Sequence, residues 1–130
     1  MVAMDAGHLK GSWKGVMYDV LCMHESKNKI IHVNTVLADK ENATNYKFLL
    51  QQTCRNEHMH RLLSSGEVTF FIDGHKGSPA ALRAVVPQAP WSACVRHLIT
   101  NINMKAMGHN LPYEEPQFHR ALISKPTFLV

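Results

Sequence analysis

The chain alternates between short apolar runs and polar, glycine-containing loops, and this pattern predicts a succession of strands and helices. Strands are indicated over residues 1–5, 15–23, 30–37, 67–72 and 91–94, where apolar or alternating runs are bounded by turn residues. Helices are indicated after Asn42 or Thr44, after Ser78-Pro79, and along an apolar stripe from Val95 to Ala106. The predicted order is βββαβαβα, which places the chain in the α/β class.

Length and composition narrow this picture. At 130 residues with 45% hydrophobic and 18% charged positions, the chain fits a single globular domain. It contains no apolar run of the roughly 20 residues that a membrane span needs, and its N-terminus lacks the features of a signal peptide. Three widely spaced cysteines argue against a disulfide framework and favour a reducing, intracellular compartment.

The positive charge is concentrated in the second half of the chain. Residues 1–74 hold eight Lys/Arg and eight Asp/Glu, whereas residues 75–130 hold six Lys/Arg against Glu114 and Glu115, so the net +4 lies entirely there. Such a distribution is compatible with a polyanionic partner, although many domains that bind no polyanion are equally basic.

Two aspartates stand where apolar strands are predicted to end. Asp5 closes the first strand and Asp73 closes the fourth, and each opens a glycine-containing loop. The loops beyond the carboxyl ends of strands are where open α/β sheets build their sites, and carboxylate oxygens there suit hard divalent cations. Taken alone, the pair is more simply explained as ordinary turn chemistry. Together with the motifs that follow, it indicates a metal-dependent phosphoryl-transfer site.

Several short motifs follow one another in a specific order. They are Asp5-x-x-x-x-Lys10-Gly11-x-x-x-Gly15; Glu41-Asn42 followed by Tyr46-x-Phe48; Asp73-Gly74-x-Lys76-Gly77 with Ala81 and Pro87; and Cys94-Val95-Arg96-His97 with Asn101. In this order and spacing, over roughly residues 4–122, the chain resembles the transposase domain of Mutator-like elements (MULE transposases).

The resemblance implies a ribonuclease-H-like fold. Its five-stranded mixed sheet would have the order 3-2-1-4-5, with strand 2 antiparallel to its neighbours. Residues 1–108 would form the core, and the Pro-containing segment 109–130 would belong to the same domain. Asp5 and Asp73 would be the first two carboxylates of the catalytic DDE set and would bind two Mg²⁺ or Mn²⁺ ions. The third, a Glu, is not evident, since Glu114 and Glu115 follow the last helix too closely.

Other residues receive roles from the same motifs. Cys94 and His97 look like half of a zinc site, but no second Cys/His pair accompanies them, so zinc is not expected and a role in shaping the site is favoured. Glu41 is expected to favour the N-terminus of the first helix through the helix dipole. Six residues are candidate DNA contacts, with loop packing or an exposed helix face as the alternative: Lys10, Trp13, Lys76, Arg96, Asn101 and Lys105.

The function that the resemblance implies is DNA cleavage and strand transfer in DNA transposition. Its partners would be transposon ends and target DNA. An active transposase would work in the nucleus, and the resemblance is compatible with a homo-oligomer of the full-length protein. A second interpretation is a catalytically inactive, transposon-derived fragment, or a domesticated domain that binds DNA or protein.

Overall fold

A computed structural model describes residues 1–73 and 77–106 of the chain. The segment 109–130, predicted to extend the same domain, lies outside the described residues. The elements run in the order β1 (Val2–His8), β2 (Val16–His24), β3 (Lys29–Ala38), α1 (Ala43–Thr53), α2 (Glu57–Ser64), β4 (Phe70–Ile72), α3 (Gly77–Val85), β5 (Trp91–Ala93) and α4 (Val95–Ala106).

The five strands form one mixed sheet in the order β3-β2-β1-β4-β5. Strand β2 runs antiparallel to β1 and β3, whereas β1 and β5 both pair in parallel with β4. A mixed five-stranded α/β sheet was predicted, and the observed order is the one that the family resemblance implied. The connection from β1 to β4 passes through two strands and two helices, so the centre of the sheet joins residues far apart in sequence.

The core lies on one face of this sheet. Alternate residues of β1, β2 and β4 point to that face, and α1 and α3 cover it and pack against each other. Each fully buried aliphatic or aromatic side chain contributes about 1.5–3 kcal/mol relative to an exposed one. The buried apolar residues are Val2, Met4, Val16, Tyr18, Val20, Tyr46, Leu49, Leu50, Leu63, Phe70, Ile72, Ala81, Leu82, Val86 and Ala89.

Strand β3 departs from the alternation that its sequence suggests. The sequence pattern predicts Ile31, Val33, Thr35 and Leu37 on one face. A β-bulge shifts the register, because Val20 pairs with Asn34 and Leu21 with His32, which leaves Val33 as the extra residue. Beyond the bulge the faces are exchanged: Val36 and Ala38 pack against the core, and Leu37 is 61% exposed.

The segment after α1 forms a second helix, which was not among the helices predicted from the sequence. Asn42 caps α1 by accepting from the Asn45 amide at 2.8 Å. Asn56 caps α2 by accepting from the amides of His58 and Met59 at 3.0 and 3.1 Å. One buried leucine, Leu63, holds α2 to the core.

The apolar stripe of α4 is only partly covered by the described residues. Val95 is 57% exposed and Ile99 is 53% exposed, whereas Leu98 is half-buried. The helix itself was predicted correctly, and these two residues of its stripe are exposed.

Tyr18 ties the loop between β3 and α1 to the sheet. Its ring is fully buried and packs edge-on against Tyr46, with centroids 4.8 Å apart. The hydroxyl donates to the Lys40 carbonyl at 2.8 Å and accepts from the Asn42 amide at 3.1 Å. These two residues flank Glu41, so Tyr18 fixes the backbone on both sides of that carboxylate.

Tyr18→Phe should therefore destabilise the domain by about 1–3 kcal/mol, because the Asn42 amide loses its partner in a buried setting. Burial is the largest cause that raises the pKa of Tyr18. Above about pH 10 the unfolded chain ionises this phenol while the folded state keeps its proton, so wild-type stability falls in that range. Tyr18→Phe has no phenol to ionise, so the difference in free energy of unfolding between wild type and this variant should narrow as the pH rises.

Urea unfolding at pH 8 and pH 10.5 measures both effects. Ser65→Ala is the control, since it removes an exposed hydroxyl after α2 that donates to the Leu62 carbonyl at 2.8 Å and takes no part in the contacts of Tyr18. This variant should lower the free energy of unfolding by less than Tyr18→Phe does, and its difference from wild type should be the same at pH 8 and pH 10.5. If wild type and Tyr18→Phe lose equal free energy of unfolding as the pH rises, ionisation of Tyr18 does not contribute to the loss.

Candidate functional site

Asp5 lies at the residue where β1 loses one of its two neighbours. The parallel pairing with β4 ends at Met4 opposite Ile72, whereas the antiparallel pairing with β2 continues to His8 opposite Val16. The prediction that the strand ends at Asp5 is wrong for the β2 side, because Gly7 and His8 continue the hairpin. For the β4 side the strand does end there. The Asp5 side chain is 49% exposed.

Asp73 follows Ile72 at the carboxyl end of β4. Met4 and Ile72 are the last Cα partners of the parallel pair, so Asp5 and Asp73 each come one residue after the same register position. Asp73 Oδ1 accepts a hydrogen bond from Ser78 Oγ at 3.2 Å. Ser78 was predicted to cap α3; instead the helix begins at Gly77, and Ser78 lies within its first turn and is fully buried.

His97 reaches the site from the first turns of α4. Its Nε2 is 3.9 Å from Asp5 Oδ1, and its Nδ1 is buried without a hydrogen-bond partner among the described residues. Cys94 joins the same region through its backbone: its amide donates to the Ile72 carbonyl at 2.7 Å, and its carbonyl accepts from the Leu98 amide at 3.0 Å. The Cys-x-x-His segment thus connects the end of β4 to Asp5.

All three cysteines of the chain, Cys22, Cys54 and Cys94, are free thiols. The prediction that they form no disulfide framework is confirmed.

Asp19 was not among the site residues predicted from the sequence. It pairs directly with Asp5 across β1 and β2, and its side chain is only 14% exposed. Asp19 Oδ1 accepts from Thr35 Oγ1 at 2.5 Å and lies 3.7 Å from His32 Nδ1. An aspartate in the middle of an otherwise apolar strand was the available signal. These contacts give Asp19 a local partner on β3 and place a second carboxylate beside Asp5.

Glu41 lies at the start of α1 as expected, immediately before the Asn42 cap. Its interaction with the helix dipole stays a prediction, and Glu41 also has side-chain partners. Its Oε1 accepts from the Tyr46 hydroxyl at 2.7 Å, and its Oε2 is 3.4 Å from His8 Nε2. Burial, followed by the charge of Asp73 and by the Glu41 carboxylate, raises the pKa of Tyr46 far above its usual range, against a hydrogen bond from Ser78. Tyr46 is therefore a neutral donor between two acidic groups.

The predicted DNA-contacting residues fall into two groups. Lys10, Trp13 and Arg96 are exposed, the first two on the hairpin loop after β1 and the third on α4. Lys76 lies outside the described residues, as do the side chains of Asn101 and Lys105 on α4.

The Trp13 indole lies over Gly15. A Cβ at Gly15 would clash with the outer edge of the ring, while Trp13 itself remains 50% exposed. The Leu9 amide closes the loop by donating to the Gly15 carbonyl at 2.9 Å. The second glycine of the Lys10-Gly11-x-x-x-Gly15 motif thus makes room for an aromatic ring that faces solvent on its other side.

The donor chemistry at the strand ends fits a hard cation only in part. Asp5 and Asp73 offer carboxylate oxygens, which suit Mg²⁺ or Mn²⁺. Within residues 1–73 and 77–106, however, no group of three or more His, Cys, Asp or Glu side chains is arranged to hold a metal ion. Two carboxylates with water could hold an ion weakly.

Within residues 1–73 and 77–106, no helix is long and apolar enough to cross a membrane.

A comparison with known protein families identifies the family of this domain. The family model of the MULE transposase domain matches residues 1–101, which run from β1 into α4 and include both aspartates and the Cys-x-x-His segment. The chain belongs to this family. The resemblance found in the sequence is thereby confirmed, and the MULE domain has a transposase-related function. No curated protein is significantly similar to the chain.

Replacing Gly15 by alanine should displace the Trp13 ring in this MULE domain. The φ angle of Gly15 is not positive, so alanine fits the backbone and the clash is with the ring alone. We expect a loss of about 1 kcal/mol, the low end for overpacking, because the ring can move into solvent. In a Trp91→Phe background, where Trp13 is the remaining tryptophan, its emission should shift to the red and be quenched more readily by acrylamide.

Gly11→Ala is the matched control, since a Cβ at Gly11 would have no neighbouring atom within 4 Å. It should leave the emission unchanged. An unshifted spectrum in Gly15→Ala would mean that the ring does not rest on this glycine.

Proposed function

We propose that this MULE domain is the ribonuclease-H-like part of a DDE transposase, which cleaves DNA and transfers strands with divalent metal ions. The observation that carries the proposal is the common position of Asp5 and Asp73, one residue beyond the Met4–Ile72 pair of adjacent parallel strands. A site at the carboxyl ends of the central strands is where an open α/β sheet binds its ligands.

Each aspartate has a defined task in this proposal. Both supply oxygen ligands, and their backbones are held by the sheet. Two divalent ions in such a site would stabilise the attacking and the leaving oxygen of a phosphodiester. Strand β1 presents Asp5 from one side and the end of β4 presents Asp73 from the other, so the scissile phosphate would lie in the gap where the β1–β4 pairing stops.

His97 and Cys94 shape the site beside these ligands. His97 is close enough to Asp5, at 3.9 Å, to orient its carboxylate, either directly or through a water molecule. Cys94 acts through its backbone, which fixes the start of α4 to the end of β4. Neither residue is assigned to zinc, because a zinc site normally takes four ligands, or three and water.

DNA is the proposed partner, and the basic second half of the chain is its proposed contact. Lys10, Trp13 and Arg96 are exposed, the first two on the loop after β1 and the third on α4, and Lys76, Asn101 and Lys105 are added on sequence grounds. Phosphate contacts of this kind make binding salt-dependent and independent of sequence. The proposed location is the nucleus, where the transposon DNA would be. A homo-oligomer of the full-length protein would align two DNA ends.

A second candidate is a transposon-derived domain that binds DNA or protein without catalysis. The observation that favours it is that the described residues contain no third acidic ligand arranged with Asp5 and Asp73. Both candidates share the fold, and they differ in whether the domain carries out chemistry on DNA.

Mn²⁺ should bind weakly at Asp5 and Asp73. In a titration followed by nuclear magnetic resonance, paramagnetic broadening should appear first at residues around 5–8 and 73–76. Asp5→Asn and Asp73→Asn should each weaken it strongly, because each removes a charged ligand. Glu67→Gln is the control, since Glu67 precedes β4 and lies at the opposite end of that strand. Broadening centred on histidines such as His58 and His60 would refute the proposed site.

The 130-residue chain should not nick supercoiled DNA, even with Mn²⁺. The described residues offer two carboxylates and no third acidic ligand arranged with them, so one developing charge lacks a stabilising contact. Losing one such contact raises the activation barrier by about 3 kcal/mol or more, which slows the reaction a hundredfold or more. A plasmid-nicking assay with wild type beside Asp73→Asn measures this. Metal-dependent nicking that Asp73→Asn abolishes would instead establish a complete catalyst and exclude the second candidate.

A further inference from the structure

Asp73 and Glu41 are connected through two buried hydroxyl groups. Ser78 Oγ donates to Asp73 Oδ1 at 3.2 Å, and the Tyr46 hydroxyl donates to Glu41 Oε1 at 2.7 Å. Ser78 also forms a hydrogen bond with Tyr46. The four side chains therefore form a continuous path from the end of β4 to the loop before α1, which we call the Asp73–Glu41 relay.

The central pair of this relay is fully enclosed. Tyr46 on α1 and Ser78 on α3 both have 0% of their surface exposed, and the two helices pack against each other along the core. A buried hydroxyl is costly unless it is hydrogen-bonded, and an apolar side chain could fill either position. Both hydroxyls lie where the helices meet the proposed site, which suggests a task besides packing.

We propose that Tyr46 and Ser78 are positioning residues that fix the orientation of the Asp73 carboxylate for a divalent cation. This inference rests on the proposed function, in which Asp73 is a metal ligand. Ser78 holds one carboxylate oxygen and thereby sets the plane of the group. Tyr46 gives its proton to Glu41, so its oxygen is an acceptor towards Ser78. The single Ser78 proton is then shared between Asp73 Oδ1 and the Tyr46 oxygen, and this three-centre bond holds the hydroxyl in one orientation.

The relay also connects the site to the helices on the core face, because α1 carries Tyr46 and α3 carries Ser78. The neighbour of Asp5 is instead His97 of α4, whose Nε2 lies 3.9 Å from Asp5 Oδ1. The two aspartates thus have neighbours on different helices. Partners behind a ligand of this kind typically change metal affinity by about 10- to 100-fold when they are removed.

The test compares Mn²⁺ affinity and stability in Ser78→Ala, Tyr46→Phe and the double variant of the 130-residue chain. Free Mn²⁺ is measured by electron paramagnetic resonance and unfolding by urea. Each single variant should weaken Mn²⁺ binding by about tenfold or more. The double variant should be little weaker than either, because both act through one relay. Ser78→Thr keeps the hydroxyl and should restore most of the affinity wherever it folds.

Thr53→Val is the matched control on α1. Thr53 is 4% exposed, its hydroxyl donates to the Leu49 carbonyl at 2.9 Å, and it accepts from Asn34 rather than contacting a site carboxylate. It should lower the urea midpoint and leave the Mn²⁺ affinity unchanged. A purely structural role for Tyr46 and Ser78 would give the same pattern for their variants, and that result would overturn the inference.

The two proposals fail differently. If Asp73→Asn abolishes Mn²⁺ binding but Tyr46→Phe and Ser78→Ala leave it intact, the relay does not position Asp73 and the metal site stands. If Mn²⁺ binding in the wild type is insensitive to Asp73→Asn, the proposed function itself is wrong, and the inference is overturned with it.

Discussion

The parallel pairing of β1 with β4 is the constraint on which the rest of the structure depends. It is short, with three Cα pairs from Val2–Phe70 to Met4–Ile72, yet it joins the N-terminal hairpin to the second half of the chain. Four of the buried core residues lie within it: Val2, Met4, Phe70 and Ile72. Where it stops, Asp5 and Asp73 follow, so the core and the proposed site are set by the same few backbone hydrogen bonds.

Much of the fold could be predicted because it depends on local patterns. Apolar runs identified all five strands, and Asn42, Pro87 and the α4 stripe marked helix boundaries. The errors arose where a long-range contact decides. The β3 bulge at Val33 depends on its partner strand, and alternation alone gave the wrong face for Thr35 and Leu37. Helix α2 is amphipathic but only eight residues long, and it follows α1 so closely that the two helices were not separated in the sequence.

For the site, the sequence indicated which residues belong to the strand ends but not what orients them. Asp5 and Asp73 were found as carboxylates at predicted strand ends, and Cys94 and His97 through family motifs. The structure brings His97 Nε2 to 3.9 Å from Asp5 Oδ1, a contact that was not predicted. Asp19, Tyr46 and Ser78 were overlooked in this role. Their relevance follows from register across β1 and β2 and from packing of α1 on α3, neither of which is visible in one sequence.

The separation of the two aspartates has a consequence for folding. Asp5 and Asp73 are 68 residues apart (73 minus 5), and they come together only when β4 pairs with β1. Contacts between residues distant in sequence carry a larger loop-closure cost than local ones and form more slowly. The hairpins β1–β2 and β2–β3 depend on near neighbours, whereas the proposed site depends on this long-range pairing. A partly folded chain can thus hold three ordered strands and still lack a site, which ties exposure of the two carboxylates as a pair to completion of the sheet.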